Sequence, residues 1–212
     1  MCTKIGLVVP VYKNFEGFAE LMASVDISVK PYIIENWKEN IGVSKAWNKG
    51  IKMSMRDDCD VTFVVNDDVV FQGGSMQAMI DGLDYHDLVT GYNTRDHRYR
   101  RGLTLDSPDF ACYAVWTQDF FVKFGEFDEN FTPAYFEDND MHYRIKIAGG
   151  SAVGLTSAPF YHEGSVTQNW GGKQVVTGPM FRQNQNYYIE KWGGMPGEEL
   201  LREPYLEARK RG

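Results

Sequence analysis

The sequence has no run approaching the roughly 18 apolar residues of a membrane-crossing helix. Its opening, "MCTKIGLVVPVYKN", lacks the charged start, long apolar stretch and small-residue cleavage site of a secretory leader. Cysteine is scarce. Cys2, Cys59 and Cys112 are odd in number and have no CxxC spacing, which argues against both a disulfide framework and a zinc knuckle and fits a reducing compartment. A cytosolic chain without a membrane span is the expectation. Positive charge is also short. With 22 Lys and Arg against 29 Asp and Glu, the chain lacks the basic footprint of a nucleic-acid binder. One dense cationic stretch, "TRDHRYRRG" from Thr94 to Gly102, reads either as a solvated loop or as a local site for an anionic substrate. No linker, internal repeat or low-complexity segment divides the chain.

What is present is enough apolar residue for a sizeable core, 43% of 212 residues. "KIGLVVPVY" is a β-branched run suited to a strand buried on both faces. Behind it, "NFEGFAELMASVD" carries Phe15, Phe18, Leu21, Met22 and Val25 at helical spacing, with Asn14 as N-cap. "PYIIEN" then reads as strand, "GVSKAWNKGIKMSM" as helix, "VTFVVND" as strand and "SMQAMIDGLD" as helix. This βαβαβα order predicts a parallel sheet with helices on its faces, and such sheets bind ligands at the carboxyl ends of their strands. The second half is α+β in character. "DFACYAVWT" reads as strand, "QDFFVKFG" as a short helix, "FEDNDMHYRIKIAGG" as a helix closed by glycine, and "SAVGLTSAPFYHEG" as a strand running into a turn. The charged end, "LREPYLEARKRG", reads as a peripheral helix or a tether.

Three clusters carry candidate chemistry. Asn66, Asp67 and Asp68 stand where the third strand ends, and their hard oxygens suit Mg2+ or Mn2+, ions that keep waters and also bind phosphate oxygens. Asn-Asp pairs make ordinary turns as well. The second cluster, "FEDND", opens a helix. Glu137 and Asp138 there read either as capping residues or as a base aimed from a rigid element into a cleft. Asp140 lies four residues before Arg144, the spacing of a helix ion pair. The third element is "YHEGSVT", where His162 ends a strand and is either an ordinary histidine or a metal ligand. The nearby "NWGGK", Asn169 to Lys173, could fold over a ligand. An EF-hand is ruled out, since "DENFTPAYFEDND" lacks Gly at position six and Glu at position twelve.

In order along the chain, these residues resemble the GT-A-fold glycosyltransferases, in particular the inverting family 2. "VVPVYKN" is similar to the family's first strand and nucleotide-binding turn, and "ENIGVSKAWNKGI" to its Asn-x-Gly segment followed by Asn-x-Gly-Ile. "VVNDDV" resembles the DxD metal motif, with Asn66 in place of its first acid. "GEFDENFTPAYFEDNDMHYRIKIAGG" resembles the Gly-x-Phe-Asp-Glu block that leads to the Glu-Asp motif. "HEGS" and "NYYIEKWGG" resemble the late His turn and the closing Lys-Trp-Gly stretch.

The resemblance implies an α/β GT-A fold with a mostly parallel central sheet and helices on both faces. It implies one domain over 1–212, with a nucleotide-binding half (1–100), an acceptor half (101–195) and a peripheral tail (196–212). Pro10, Val11 and Tyr12, with Glu35 or Asn36, would line the nucleobase pocket. Lys45 and Asn48 would approach the nucleotide, with Asn66 and Asp67 beside it. Asp68 and His162 would hold Mn2+ or Mg2+. Asp138 would be the catalytic base, and Glu137 would orient acceptor or base. The implied partners are a nucleotide-sugar donor, by default a UDP-sugar, and a hydroxyl of a glycan or related acceptor. Among the aromatics near these segments, Trp192 is assigned to the core and Trp170 is left open between core and sugar stacking. Two other readings use the same residues: a metal-dependent sugar-nucleotide hydrolase, and a non-catalytic nucleotide-sugar or carbohydrate-binding module. A sugar-nucleotide pyrophosphorylase would need a glycine-rich phosphate loop where "PVYKNFEG" stands.

Overall fold

The computed structural model describes residues 3–95, 109–164 and 175–204. Most of the cationic stretch, the "NWGGK" loop with Trp170, and residues 205–212 of the tail lie outside the described residues.

The first hundred residues form the expected alternation. Strand β1 (Ile5–Val11) leads through α1 (Phe15–Ser24) to β2 (Lys30–Glu35), and α2 (Val43–Arg56) leads to β3 (Val61–Val65). Asn14 caps α1 as the sequence suggests, its side chain accepting from the Gly17 N–H. A short β4 (Val69–Phe71) precedes α3 (Ser75–Gly82), and β5 (Leu88–Asn93) follows. The second half supplies β6 (Cys112–Trp116), α4 (Thr117–Phe124), α5 (Glu137–Ile147), β7 (Ala152–His162) and α6 (Gly178–Trp192).

Strands from both halves join one seven-stranded sheet, ordered β2-β1-β3-β6-β5-β7-β4. β1 pairs parallel with β2 and β3, and β5 pairs parallel with β7. The remaining pairings, β3 with β6, β5 with β6 and β4 with β7, are antiparallel. The sheet is therefore mixed but mostly parallel in direction, as expected: β1, β2, β3, β5 and β7 run one way, and only β6 and β4 run against them. Because β6 is antiparallel to both β3 and β5, the strands on either side of it keep one direction.

Alternation along the strands divides the core in two. Leu7, Val9 and Val11 of β1 face a cluster with Leu21 of α1 and Met76 and Met79 of α3. Val8 faces the opposite side, with Trp47 and Ile51 of α2, Phe120 and Phe124 of α4, and Met141 of α5. Helices thus cover both faces. Gly50 permits the closest approach of α2 to β1, because a Cβ there would lie 2.2 Å from Val8 Cγ1. This gives a physical reason for the glycine of the Asn-x-Gly-Ile segment.

A third cluster joins α6 to the segment between α4 and α5. Trp192 and Tyr188 are fully buried and pack with Phe131, Phe136 and Tyr143. The polar centre of this cluster is Lys191, only 8% exposed, with Nζ 2.7 Å from both Asp128 Oδ2 and Asp140 Oδ1. Trp192 Nε1 donates to Asp140 Oδ1 at 2.8 Å, and Arg144 Nε reaches Asp140 Oδ2 at 2.9 Å. The predicted Asp140–Arg144 pair is present, and Arg144 also donates to the carbonyls of Phe124 and Glu126. On the other side, Asn48 clamps the same segment to α2. Its amide donates to the Phe127 carbonyl and accepts from the Phe127 N–H, each at 2.9 Å.

Burial pushes the Asp128 carboxyl up, but the charge and hydrogen bond of Lys191, with donors from Asn130 and Tyr187, outweigh it and hold the group below the ordinary carboxylate value. A depressed folded value means that the stabilisation is full above the unfolded value of about 3.9 and is lost as pH falls through the lower folded one. Replacing Lys191 with Met leaves Asp128 without its cation, while Asp140 keeps Arg144 and Trp192, and should cost about 3 kcal/mol at pH 7. Urea denaturation of the variant and the wild type measures that loss, and the difference between them should shrink as pH falls below 4.

Candidate active site

The parallel register of β1, β2 and β3 brings their carboxyl ends to one edge, with Val11 opposite Glu35 and Val8 opposite Val64. The chain leaving these ends supplies Tyr12, Asn36 and the Asn66–Asp68 turn. β6 enters at the same edge, since Cys112 lies opposite Val65. Asp109 and Phe110 therefore arrive beside the turn. β7 brings His162, which lies opposite Val69 and hence next to Asp68. Together with the start of α5, these elements line a cleft of about 310 Å³.

Pro10, Tyr12, Asn36, Asn66, Asp67, Asp68, Glu137, Asp138 and His162 all line it, so nine of the residues read from sequence meet at one place. Four do not line it. Val11 is 1% exposed in the core. Glu35 points outward and pairs with Lys38, and Lys45 is exposed on α2. Asn48 is spent on the Phe127 clamp described above. All four belong to segments that reach the site, and side-chain direction takes each of them elsewhere. Tyr135, one of the aromatics near the candidate segments, also lines the cleft, as do Asn40, Trp47 and Asp109, which were not singled out in the sequence. An aspartate opening a predicted strand, and a helix tryptophan one residue before Asn48, were the available signals.

The two acids of the turn do different work. Asp67 Oδ2 accepts the Tyr12 N–H at 2.8 Å, and its backbone carbonyl accepts from Asn14 at 3.1 Å. It ties the loop after β1 to the end of β3. Burial pushes its carboxyl up to about 7, with the Tyr12 hydrogen bond pulling the other way and the neighbouring charge of Asp68 adding to the rise. Asp68 Oδ1 lies 3.1 Å from His162 Nε2. Burial alone would lower the His162 pKa, but the hydrogen bond and charge of Asp68, with Asp109 beyond, outweigh it and raise it. The Asn93 amide holds the His162 backbone, donating to its carbonyl at 3.2 Å and accepting from its N–H at 3.3 Å.

Among the described residues, no group of three or more His, Cys, Asp and Glu is gathered as a metal cage. The Asp68–His162 pair does fit an ion of the Mg2+ or Mn2+ kind, which takes few protein ligands and completes its shell with phosphate oxygens and waters.

Across the cleft, Tyr135 and Phe136 have φ of 82° and 73°. Two successive non-glycine residues in the left-handed region cost about 1–3 kcal/mol each, the kind of strain found at functional sites. Here it turns the chain sharply into α5. Asp138 Oδ1 accepts the adjacent Asn139 N–H at 2.8 Å. Burial raises the Asp138 carboxyl above its ordinary value, and the charge of Asp109 adds to this. Burial, with the charge of Asp138, raises Glu137 as well.

Among solved structures, the fold is similar to the Staphylococcus aureus TarS 1-349 complex with UDP, at TM-score 0.56 and 15% identity over 74% of this chain. It also resembles GalNAc-T7 solved with UDP, GalNAc and Mn2+, at TM-score 0.59 and 10% identity over 90% of this chain. The chain has the GT-A fold. It spans 60% of that TarS structure and 48% of GalNAc-T7. No protein-family model matches the sequence, and no curated protein matches it. At these identities the likeness establishes a glycosyltransferase-like fold. Among the described residues no helix is long and apolar enough to cross a membrane.

The raised Asp67 carboxyl has a measurable consequence. A folded value above the unfolded one gives stability that is full below about pH 3.9 and is lost as pH rises through about 7. In metal-free buffer the unfolding free energy should therefore decline between pH 5 and 8. Asp67→Asn keeps an acceptor for the Tyr12 N–H and should flatten that decline, as denaturant titrations at several pH values would show.

Proposed function

We infer that this protein is an inverting glycosyltransferase. It moves a sugar from a nucleotide-diphospho-sugar, in the first instance a UDP-sugar, to a hydroxyl of a glycan or related acceptor. The observation that carries the reading is the placement of Asp138 and the Asp68–His162 pair in one cleft at the carboxyl edge of the sheet. The bound UDP in the TarS structure, its UDP-GlcNAc complex, and the UDP and Mn2+ of GalNAc-T7 support the choice of donor and ion.

In this reading Pro10, Tyr12 and Asn36 receive the nucleoside, and the Asn66–Asp68 turn faces the diphosphate. Asn36 is held for that task. Its side chain accepts the Ile41 N–H at 2.9 Å, closing the loop before α2. Asp68 and His162 would hold Mn2+ or Mg2+, which when bound supplies positive charge against the departing diphosphate. Asp138 takes the proton of the acceptor hydroxyl, whose oxygen forms a bond to the anomeric carbon. The bond from that carbon to the diphosphate oxygen breaks, and the nucleoside diphosphate leaves with the electron pair. Attack from the face opposite the leaving group inverts the configuration. Glu137, beside the base, orients the reacting hydroxyls. The half-buried setting of Asp138 favours its task, because a carboxylate of raised pKa is a stronger base.

Asp138→Asn should lower transfer by about 10²- to 10⁴-fold, the usual contribution of a positioned base, while leaving UDP affinity near that of wild type. A wild-type rate that rises with pH through a value above the ordinary aspartate range would report the same group. A thermal-shift screen of UDP, GDP, dTDP and their sugars, each with Mn2+ and with EDTA, tests the donor half. Metal-dependent stabilisation by one nucleotide series, lost in Asp68→Ala, is the expected result. No shift with any nucleotide would overturn the reading.

A further inference from the structure

Where α2, β6 and the start of α5 meet, three buried polar atoms have no partner among the described residues: Trp47 Nε1, the Tyr113 hydroxyl and Glu137 Oε2. Trp47 is 3%, Tyr113 0% and Glu137 6% exposed. Unpaired buried polar groups are costly, and native interiors keep few of them. The three belong together. The Tyr113 ring stands edge-on to Trp47 with centroids 5.8 Å apart. Burial, and then the charge of Glu137, holds the Tyr113 hydroxyl protonated. Trp47 and Glu137 line the cleft, and Tyr113 packs against Trp47 without lining it. Tyr113 is placed by its register opposite Val64, two residues before the Asn66–Asp68 turn.

Trp47 can only donate and Tyr113 can do either, while Glu137 accepts when ionised and can also donate when protonated. A phosphate oxygen answers the indole but not an ionised carboxylate. An apolar group answers neither. A hydroxyl answers both in either state, accepting from the indole N–H while donating to or accepting from the acid, and a ring with several hydroxyls can bridge the two. The ribose of a nucleotide and the sugar being transferred share this chemistry. Glu137 adjoins Asp138 in the chain, so a ring bonded to Glu137 is held beside the base, where the transferred sugar must be.

We propose that Trp47 and Glu137 form a hydroxyl-reading floor for the transferred sugar, in which the Trp47 indole N–H is a specificity-determining donor. The assignment rests on the glycosyltransferase reading above and extends it to a residue outside the nucleotide, metal and base positions.

The test compares UDP, UDP-glucose and UDP-GlcNAc, each with Mn2+, by calorimetry and by the indole N–H signals of 15N-labelled protein. Trp47→Phe keeps an aromatic ring and removes only the donor, and its missing signal assigns Trp47 in the spectrum. Should Trp47→Phe not fold, Trp47→Tyr serves for the assignment. The expected result has the wild type binding one UDP-sugar more tightly than UDP, with the Trp47 signal moving downfield for that sugar and not for UDP. Trp47→Phe should keep its UDP affinity within about twofold and lose about fivefold to tenfold for the UDP-sugar, the usual size of one neutral hydrogen bond. Equal movement with UDP alone would assign the floor to ribose and overturn the proposal. So would UDP-sugar binding that leaves the Trp47 signal unmoved, which would mean that trapped water satisfies these atoms. Failure of the wild type to bind UDP or either UDP-sugar would instead overturn the UDP-sugar reading on which the proposal stands.

Discussion

The buried ammonium of Lys191 holds the second half of the chain in place. Its contacts with Asp128 and Asp140 join α6, α5 and the segment between α4 and α5, and Trp192 and Arg144 complete the coordination of Asp140. A buried ionic cluster gains little net stability over an apolar filling, because desolvation consumes much of the Coulomb energy. Its consequence here is geometric. With Asp140 fixed in the first turn of α5, the direction in which Glu137 and Asp138 enter the cleft is fixed as well. Asn48 secures the opposite end of the same segment through Phe127.

The carboxyl edge of the sheet is set by register. Three parallel strands end together, and an antiparallel β6 begins beside them, so short polar turns accumulate along one edge of an otherwise apolar sheet. Within the turn after β3, the two adjacent aspartates separate in role because successive side chains leave the strand in different directions. Asp67 turns to the Tyr12 backbone and braces the edge, and Asp68 turns to His162 and stays available to a ligand. The cleft thus has a braced wall and a reactive wall built from neighbouring residues.

Much of the scaffold was legible from patterns of short range. The helices α1 to α3 showed apolar spacing, and the buried strands showed β-branched runs. β4 was hidden by its length of three residues, which merged into the hydrophobic run behind "NDD". β5 follows α3 after a short turn and is buried through most of its length, so no alternation announced it. α6 is mostly polar along its length, but its Thr177 cap, Pro179 in the first turn and left-handed Gly193 at its end were readable signals. For the site, nine of thirteen chosen residues line the cleft, because the turns that carry them follow strands the pattern located correctly. Val11, Glu35, Lys45 and Asn48 lie on those same segments and face elsewhere.

The sequence by itself determined which segments become strands and helices, and which polar turns stand at strand ends. Those properties depend on local apolar spacing, capping and backbone preference. Only the tertiary structure decided the antiparallel entry of β6, the meeting of Asp68 with His162 from residues 94 positions apart, and the gathering of Trp47 and Glu137 in the cleft with Tyr113 packed against Trp47. These follow from the pairing register and from the directions of side chains on packed elements. Both are set by the whole core at once, and neither is written in any single stretch of the chain.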